Sequence, residues 1–153
     1  TLEQDVQDNN LTFAFGVGGE HKMNSSSWIL DKWSQNITQR PWGYYRVLYE
    51  TPNTKVKELT VNPGKSLSMQ KHEHRSEHWH VVSGIGNVRT KLTYSYRDDE
   101  IFDRFLSKDS SINIRKQLWH QLSNTGTEDL HLIEIQYGDK CVEEDIERET
   151  EYA

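Results

Sequence analysis

A chain of 153 residues, 33% hydrophobic and 27% charged, fits one domain with an economical core, and five Trp with seven Tyr argue against wholesale disorder. A formal net charge of −6 without a clustered Lys/Arg run excludes a nucleic-acid-binding balance. The single cysteine, Cys141, excludes a disulfide framework and a multi-cysteine zinc knuckle. No apolar run reaches the roughly 20 residues of a membrane span and no secretory pattern is read, so a soluble, cytoplasmic protein with no membrane partner is expected.

Residues 1–38 read as an amino-terminal arm, and 39–153 as the folded domain. "EQDVQDNN" is polar and acidic, and "SSSWILDKW" predicts a short helix capped by Ser26 or Ser27. The glycines of "FAFGVGGE" lack the spacing and the lysine of a phosphate loop. From Arg40 onward short strands alternate with turns: "GYYRVLYE", "KVKELTVN", a turn at "NPG", "SLSMQKH", "EHWHVVSG", a long strand over Asn87–Arg97, "SSINI", "LWHQLSN" and "DLHLIEIQYG". About eight strands predict an all-β sandwich or small barrel. The acidic tail "EEDIERE", Glu143 to Glu149, reads as a short carboxy-terminal helix, and Cys141 as an incidental thiol before it.

Chemistry concentrates in "QKHEHRSEHWHVV", which holds four of the seven histidines. In a strand, Gln70, His72 and His74 share one face. A buried face of that composition is costly unless something satisfies it, and a divalent metal does so. Arg75–Ser76 reads as the turn. The following strand offers either Glu77, with Trp79 and Val81, or His78, with His80 and Val82, as a third ligand. His120 sits between Leu118 and Leu122 on one strand face and is a candidate fourth. Imidazoles with a carboxylate suit Zn, Fe, Ni, Co or Mn. The competing reading is a solvated, titratable strand.

The ordered set of "PG" at 63–64, the His-x-His strand, Glu77 and the later His120 and Asn124 resembles the two motifs of cupins. More closely, "RPWGYY" (40–45), residues 55–84, "HQLSNTG" (120–126), "LHLIEIQYG" (130–138) and "EEDIER" (143–148) resemble the C-terminal domain of type II phosphomannose isomerases, the cupin halves of bifunctional mannose-1-phosphate guanylyltransferases. The resemblance implies a cupin jelly-roll β-barrel. Its motif spacing implies Gln70, His72, Glu77 and His120 as metal ligands, with His74 as neighbour or substitute and zinc as the first choice of metal. The chain departs from the pattern at Arg115–Lys116–Gln117, where the family carries Pro-x-Gly, so a reshaped turn is expected there. Glu73 stands where the first motif usually has a further His.

The resemblance further implies interconversion of mannose 6-phosphate and fructose 6-phosphate through an enediol. His74 and Glu134 are the candidate bases, and Arg75 is the catalytic cation beside the ligands. Lys57, Arg148 and Arg40 are the candidate grips on a sugar phosphate, the expected small-molecule partner. The alternatives are a non-catalytic cupin that binds a metal and a sugar phosphate, and a dioxygenase-type metal cupin. Edge strands that need covering predict a homodimer.

Overall fold

The computed structural model describes residues 36–149, so the arm expected over 1–38 and its capped helix lie outside the described residues, apart from the last three positions. The strands belong to a compact unit over Ile37–Ala153. They run β1 (Ile37–Arg40), β2 (Gly43–Thr51), β3 (Thr54–Val61), β4 (Gln70–Lys71), β5 (Arg75–Ser83), β6 (Gly86–Leu92), β7 (Glu100–Leu106), β8 (Ser111–Ile114), β9 (Trp119–Asn124), β10 (Leu130–Gly138) and β11 (Glu147–Arg148). Two antiparallel sheets form, of six strands in the order β1-β2-β3-β10-β5-β8 and of five in the order β11-β4-β9-β6-β7. All-β architecture is what the alternation predicted.

The core cluster draws Leu59, Trp79, Val81, Leu130 and Leu132 from the larger sheet and Val88, Leu106 and Leu122 from the smaller. Burying each such side chain is worth about 1.5–3 kcal/mol. The inward residues are sorted along the strands. On β10 they run Leu130, Leu132, Glu134, Gln136; on β3, Lys55, Lys57, Leu59, Val61; on β5, Arg75, Glu77, Trp79, Val81. The register sets Gln136 beside both Lys55 and Glu77, and Leu132 beside both Leu59 and Val81. One end of the barrel is therefore apolar and the other polar, although both are buried.

Three local expectations change. No helix forms among the described residues: the acidic tail makes a turn and then β11, which pairs with β4. Asp145 there turns its carboxylate onto the backbone N–H groups of Glu73 and His74. The acidic side chains find partners remote in sequence, Glu143 on Lys55 and Lys57 and Glu147 on Lys71, in place of partners along a helix. The expected Asn87–Arg97 strand ends at Leu92, and the chain reverses into β7, which pairs along the whole of β6. "SLSMQKH" keeps only β4 and an isolated bridge from Ser66 to Ser123.

Two turns hold as turns. Lys65 N donates to Asn62 O at 3.1 Å, and Gly64 takes the left-handed conformation, φ 75°, that Pro-Gly turns require. Leu118 N donates to Arg115 O at 3.3 Å, and Gln117 adopts φ 65°. The turn thus survives the loss of Pro and Gly, with Gln117 carrying left-handed strain of about 1–2 kcal/mol. Its N–H is held by His72 O at 2.7 Å.

Gly138, the last residue of β10, has φ 156°, and a Cβ there would stand 2.2 Å from His74 O and 2.9 Å from Arg75 Cα. That contact seats the chain reversal at 73–74 against β10. Gly138→Ala is expected to cost at least about 3 kcal/mol in urea unfolding, through backbone displacement and a disfavoured φ. A loss within about 0.5 kcal/mol, the range of neutral surface changes, would contradict this packing.

Candidate metal centre

The strand period decides between Glu77 and His78. The chain bends at Glu73–His74, one pair before the expected Arg75–Ser76, and Arg75 already belongs to β5. Arg75, Glu77, Trp79 and Val81 therefore face inward and are buried. His78 faces outward, where its Nδ1 pairs with Asn113 Oδ1 at 2.6 Å. The same bend takes His74 off the face of Gln70 and His72. It is exposed and lines a neighbouring groove with Glu73, Lys140 and Glu147, not the cavity beside Glu77.

Among the described residues, His72, Glu77 and His120 bring one ligand atom each to within 4.8 Å of one another. All three are at most 3% exposed. His72 Nδ1 donates to Asp145 O at 2.8 Å, and His120 Nδ1 donates to Leu118 O at 2.8 Å. A carbonyl only accepts, so both protons sit on Nδ1 in the neutral rings and both Nε2 lone pairs turn inward. There, His72 Nε2 lies 3.0 Å from Glu77 Oε1, and His120 Nε2 lies 3.7 Å from Glu77 Oε2 with no hydrogen-bond partner. Lone pairs aimed at a carboxylate repel unless a proton or a cation lies between them. Two imidazole nitrogens and a carboxylate are a donor set that a divalent ion satisfies, so the residues fit a metal.

Gln70, the fourth expected ligand, pairs with His120 in the β4–β9 register and lines the cavity that Glu77 lines. This cavity has a volume of about 350 Å³. Arg40, Lys57, Arg75, Glu134 and Arg148 line it too, so the expected substrate-side residues other than His74 share one hollow. Arg75 Nη2 stands 3.3 Å from both His72 Nε2 and Glu77 Oε1. Trp79 Nε1 donates to Glu77 Oε2 at 2.9 Å.

Burial acts on each ionisable group and its neighbours decide the outcome. Burial pushes Glu77 up, and it falls well below the usual carboxylate range only where a proton stands between it and His72 Nε2 and the His120 and His72 rings are charged, the pull that a bound cation would supply in their place. Burial pushes Glu134 up, the Glu77 charge adds to this, and it rises to about 8. Gln136 Nε2 donates to Glu134 Oε1 at 2.7 Å. His120 is lowered, chiefly by burial. Cys141, buried and unpaired, is raised by burial, as fits an inert thiol.

Several participants escaped the sequence reading. Lys55 sits two residues before Lys57 and so on the same inward face, a signal that alternation carries. Glu143 holds Lys55 and Lys57 at 2.9 Å each, and no strand pattern marks it. Lys57 Nζ also lies 4.1 Å above the Tyr45 ring, a cation–π contact that gives Tyr45 a role beyond packing.

The sandwich and this donor set define a cupin. Solved structures agree on the fold: oxalate decarboxylase from Bacillus subtilis matches with a TM-score of 0.63 at 15% identity, covering 76% of this chain and 30% of that one. The capsular polysaccharide assembling protein CapF from Staphylococcus aureus matches at 0.60 and 23%, covering 73% and 33%. A family model described as mannose-6-phosphate isomerase C-terminal matches residues 31–151, and the chain belongs to that family. Its relatives include the xanthan biosynthesis protein XanB of Xanthomonas campestris pv. campestris (strain B100), 40% identical over 116 residues. They also include the alginate biosynthesis protein AlgA of Pseudomonas aeruginosa, 41% over 109 residues, and the mannose-1-phosphate guanylyltransferase of Escherichia coli (strain K12), 38% over 109. The alignments cover 76%, 71% and 71% of this chain but only 23%, 21% and 21% of those proteins.

Glu143 yields a pH prediction. Burial raises it, but the Lys57 charge and the Lys55 and Lys57 hydrogen bonds bring it down to about 2. A depressed folded pKa contributes stability that is present above the unfolded value, near 4.5, and lost as pH falls toward 2. Its side chain is 48% exposed, so screening reduces the effect to about 1 kcal/mol. Glu143→Gln is expected to flatten the stability curve between pH 4.5 and 2 in thermal melts; an unchanged slope would remove the lysine clamp.

Proposed function

We propose that this domain is a divalent-metal-dependent isomerase that interconverts mannose 6-phosphate and fructose 6-phosphate. The carrying observation is the convergence of His72 Nε2, His120 Nε2 and the Glu77 carboxylate beside the buried Glu134, in a chain of this family. His72, Glu77 and His120, joined by Gln70, would hold the ion, zinc first and Fe, Mn, Co or Ni as alternatives. When bound, it supplies Lewis acidity toward the sugar oxygens.

Glu134 is the base. It takes the proton from C2 of the aldose and returns it to C1, while the O2 hydroxyl proton passes to O1, so that the enediol forms and collapses with its protons balanced. Burial and the Glu77 charge raise this carboxyl to about 8 without an ion; a cation beside Glu77 would offset part of that rise and bring the group toward the neutral range in which it accepts and returns protons. Lys57, its register neighbour, draws the carboxyl back toward ionisation. Arg75 balances Glu77 and offers donors to developing oxygen charge. Arg40, Arg148 and Lys57 would grip the phosphate. Since Lys57 is held by Glu143, a phosphate reaching it competes with that carboxylate. His74, outside the cavity, has no part in the chemistry. The non-catalytic metal- and sugar-phosphate-binding module is the outcome to which a failed assay leads. A homodimer and a cytoplasmic setting belong to the same reading.

Purified protein given mannose 6-phosphate and each divalent metal in turn is expected to produce fructose 6-phosphate. Glu134→Gln should keep its metal and lose about a hundredfold or more in kcat. Bound metal without turnover under any ion would favour the binding module. Separately, His72→Ala is expected to lose the metal by elemental analysis while retaining its β-sheet circular dichroism, because the apolar end of the barrel holds the fold. Unchanged metal content would remove His72 from the ligand set.

A further inference from the structure

Asp145 lies on the segment between β10 and β11, 73 residues from His72 in sequence. Yet it makes three contacts with the three consecutive residues His72, Glu73 and His74. Its Oδ1 accepts from Glu73 N and its Oδ2 from His74 N, each at 2.9 Å, and its main-chain O accepts from His72 Nδ1 at 2.8 Å. The next contact along continues the pattern: Arg75 Nη1 donates to Val142 O at 3.2 Å. On the far side, β11 pairs Glu147 with Lys71 and Arg148 with Gln70. The bend that carries His72 inward is thus gripped from outside by a strap of chain remote in sequence.

The chemistry of the grip is directional. Two backbone N–H groups at a bend, which no strand partner could reach, find both oxygens of one carboxylate. That charge-assisted pairing fixes the peptide planes at 73 and 74. The fixed bend places the His72 ring against Asp145 O, and this bond selects the tautomer whose Nε2 lone pair faces Glu77 and His120. We infer that Asp145 is a positioning residue for the metal centre, and that docking of the 139–149 strap is a condition for tight metal binding. The inference rests on the metal-dependent reading above and deepens it: the strap that lends Glu143 to the lysines also sets the ligand geometry.

The test uses the full chain, stripped with chelator, and titrates Zn²⁺ by competition and Co²⁺ by its visible absorption. Asp145→Ala is expected to weaken both ions roughly ten- to hundredfold, the usual loss when a partner that orients a ligand is removed, and to alter the Co²⁺ spectrum. Glu147→Ala loosens the same strap only at its exposed pair with Lys71. It should leave affinity within about twofold, because surface pairs contribute little. If Asp145→Ala fails to fold, Asp145→Asn, which keeps one acceptor oxygen, replaces it with a smaller loss in the same direction. Wild-type affinity and spectrum in a folded Asp145 variant would overturn the inference alone. Equal losses in Glu147→Ala would overturn the positioning role of Asp145, by showing that any loosening of the strap has the same effect. A wild-type chain that binds neither ion would overturn both the inference and the metal-dependent reading.

Discussion

A buried carboxylate charge is among the costliest groups a small domain can carry, and Glu77 is 1% exposed. Each neighbour answers that cost. Trp79 donates an indole N–H and Arg75 a guanidinium, and a proton or a cation between the carboxylate and the ring nitrogens of His72 and His120 answers the rest. Those partners then need partners themselves. The rings take main-chain oxygens of Asp145 and Leu118, and Arg75 takes that of Val142. The need to satisfy one charge thus recruits β5, β9, the bend after β4 and the strap before β11 into one network. A network in which each loss strands another buried group is cooperative and resists piecemeal change.

The location of this network follows from the sorting of inward residues. The same two-residue period buries Leu132 and Gln136, or Val61 and Lys55, on single strands. Antiparallel pairing brings the polar members of β3, β5 and β10 to one end, since their order is reversed on alternate strands. The apolar end supplies folding energy and the polar end holds the candidate metal centre. This division lets a site of two imidazoles and several buried charges exist in a chain of only 33% hydrophobic residues.

Much of this was legible in the sequence, for physical reasons that also mark the limit. Alternation exposed the strands, and the motif spacing pointed to His72, Glu77 and His120, which the fold brings together. Alternation alone left Glu77 and His78 open, because a one-residue shift in the bend inverts the faces. The bend at Glu73–His74 is gripped by Asp145, a contact spanning more than seventy residues that no local pattern encodes. The tail was misread as a helix for the same reason: its acidic side chains serve distant backbone and lysines and not one another. Gln117 shows the converse. The sequence departs there from Pro-x-Gly, and the hydrogen bond from its N–H to His72 O holds the backbone in a left-handed conformation that Gln would not choose.

The barrel does not decide the chemistry. Proteins as different as oxalate decarboxylase and CapF share it at 15% and 23% identity. The proposed chemistry of this chain turns on the contrast between two carboxyls of one cavity. Both Glu77 and Glu134 are buried, and burial alone would keep both protonated. Protonated imidazole beside Glu77, or a cation in its place, leaves it ionised. Glu134, facing that fixed negative charge with only Lys57 and Arg75 to offset it, keeps its proton to about pH 8. In the proposed reaction, environments that drive like groups to opposite protonation states would separate a ligand from an acid–base residue. Here the separation follows from the order of residues on β5 and β10: Glu77 lies beside Gln136 and Glu134 lies one row further in, beside Trp79 and Lys57.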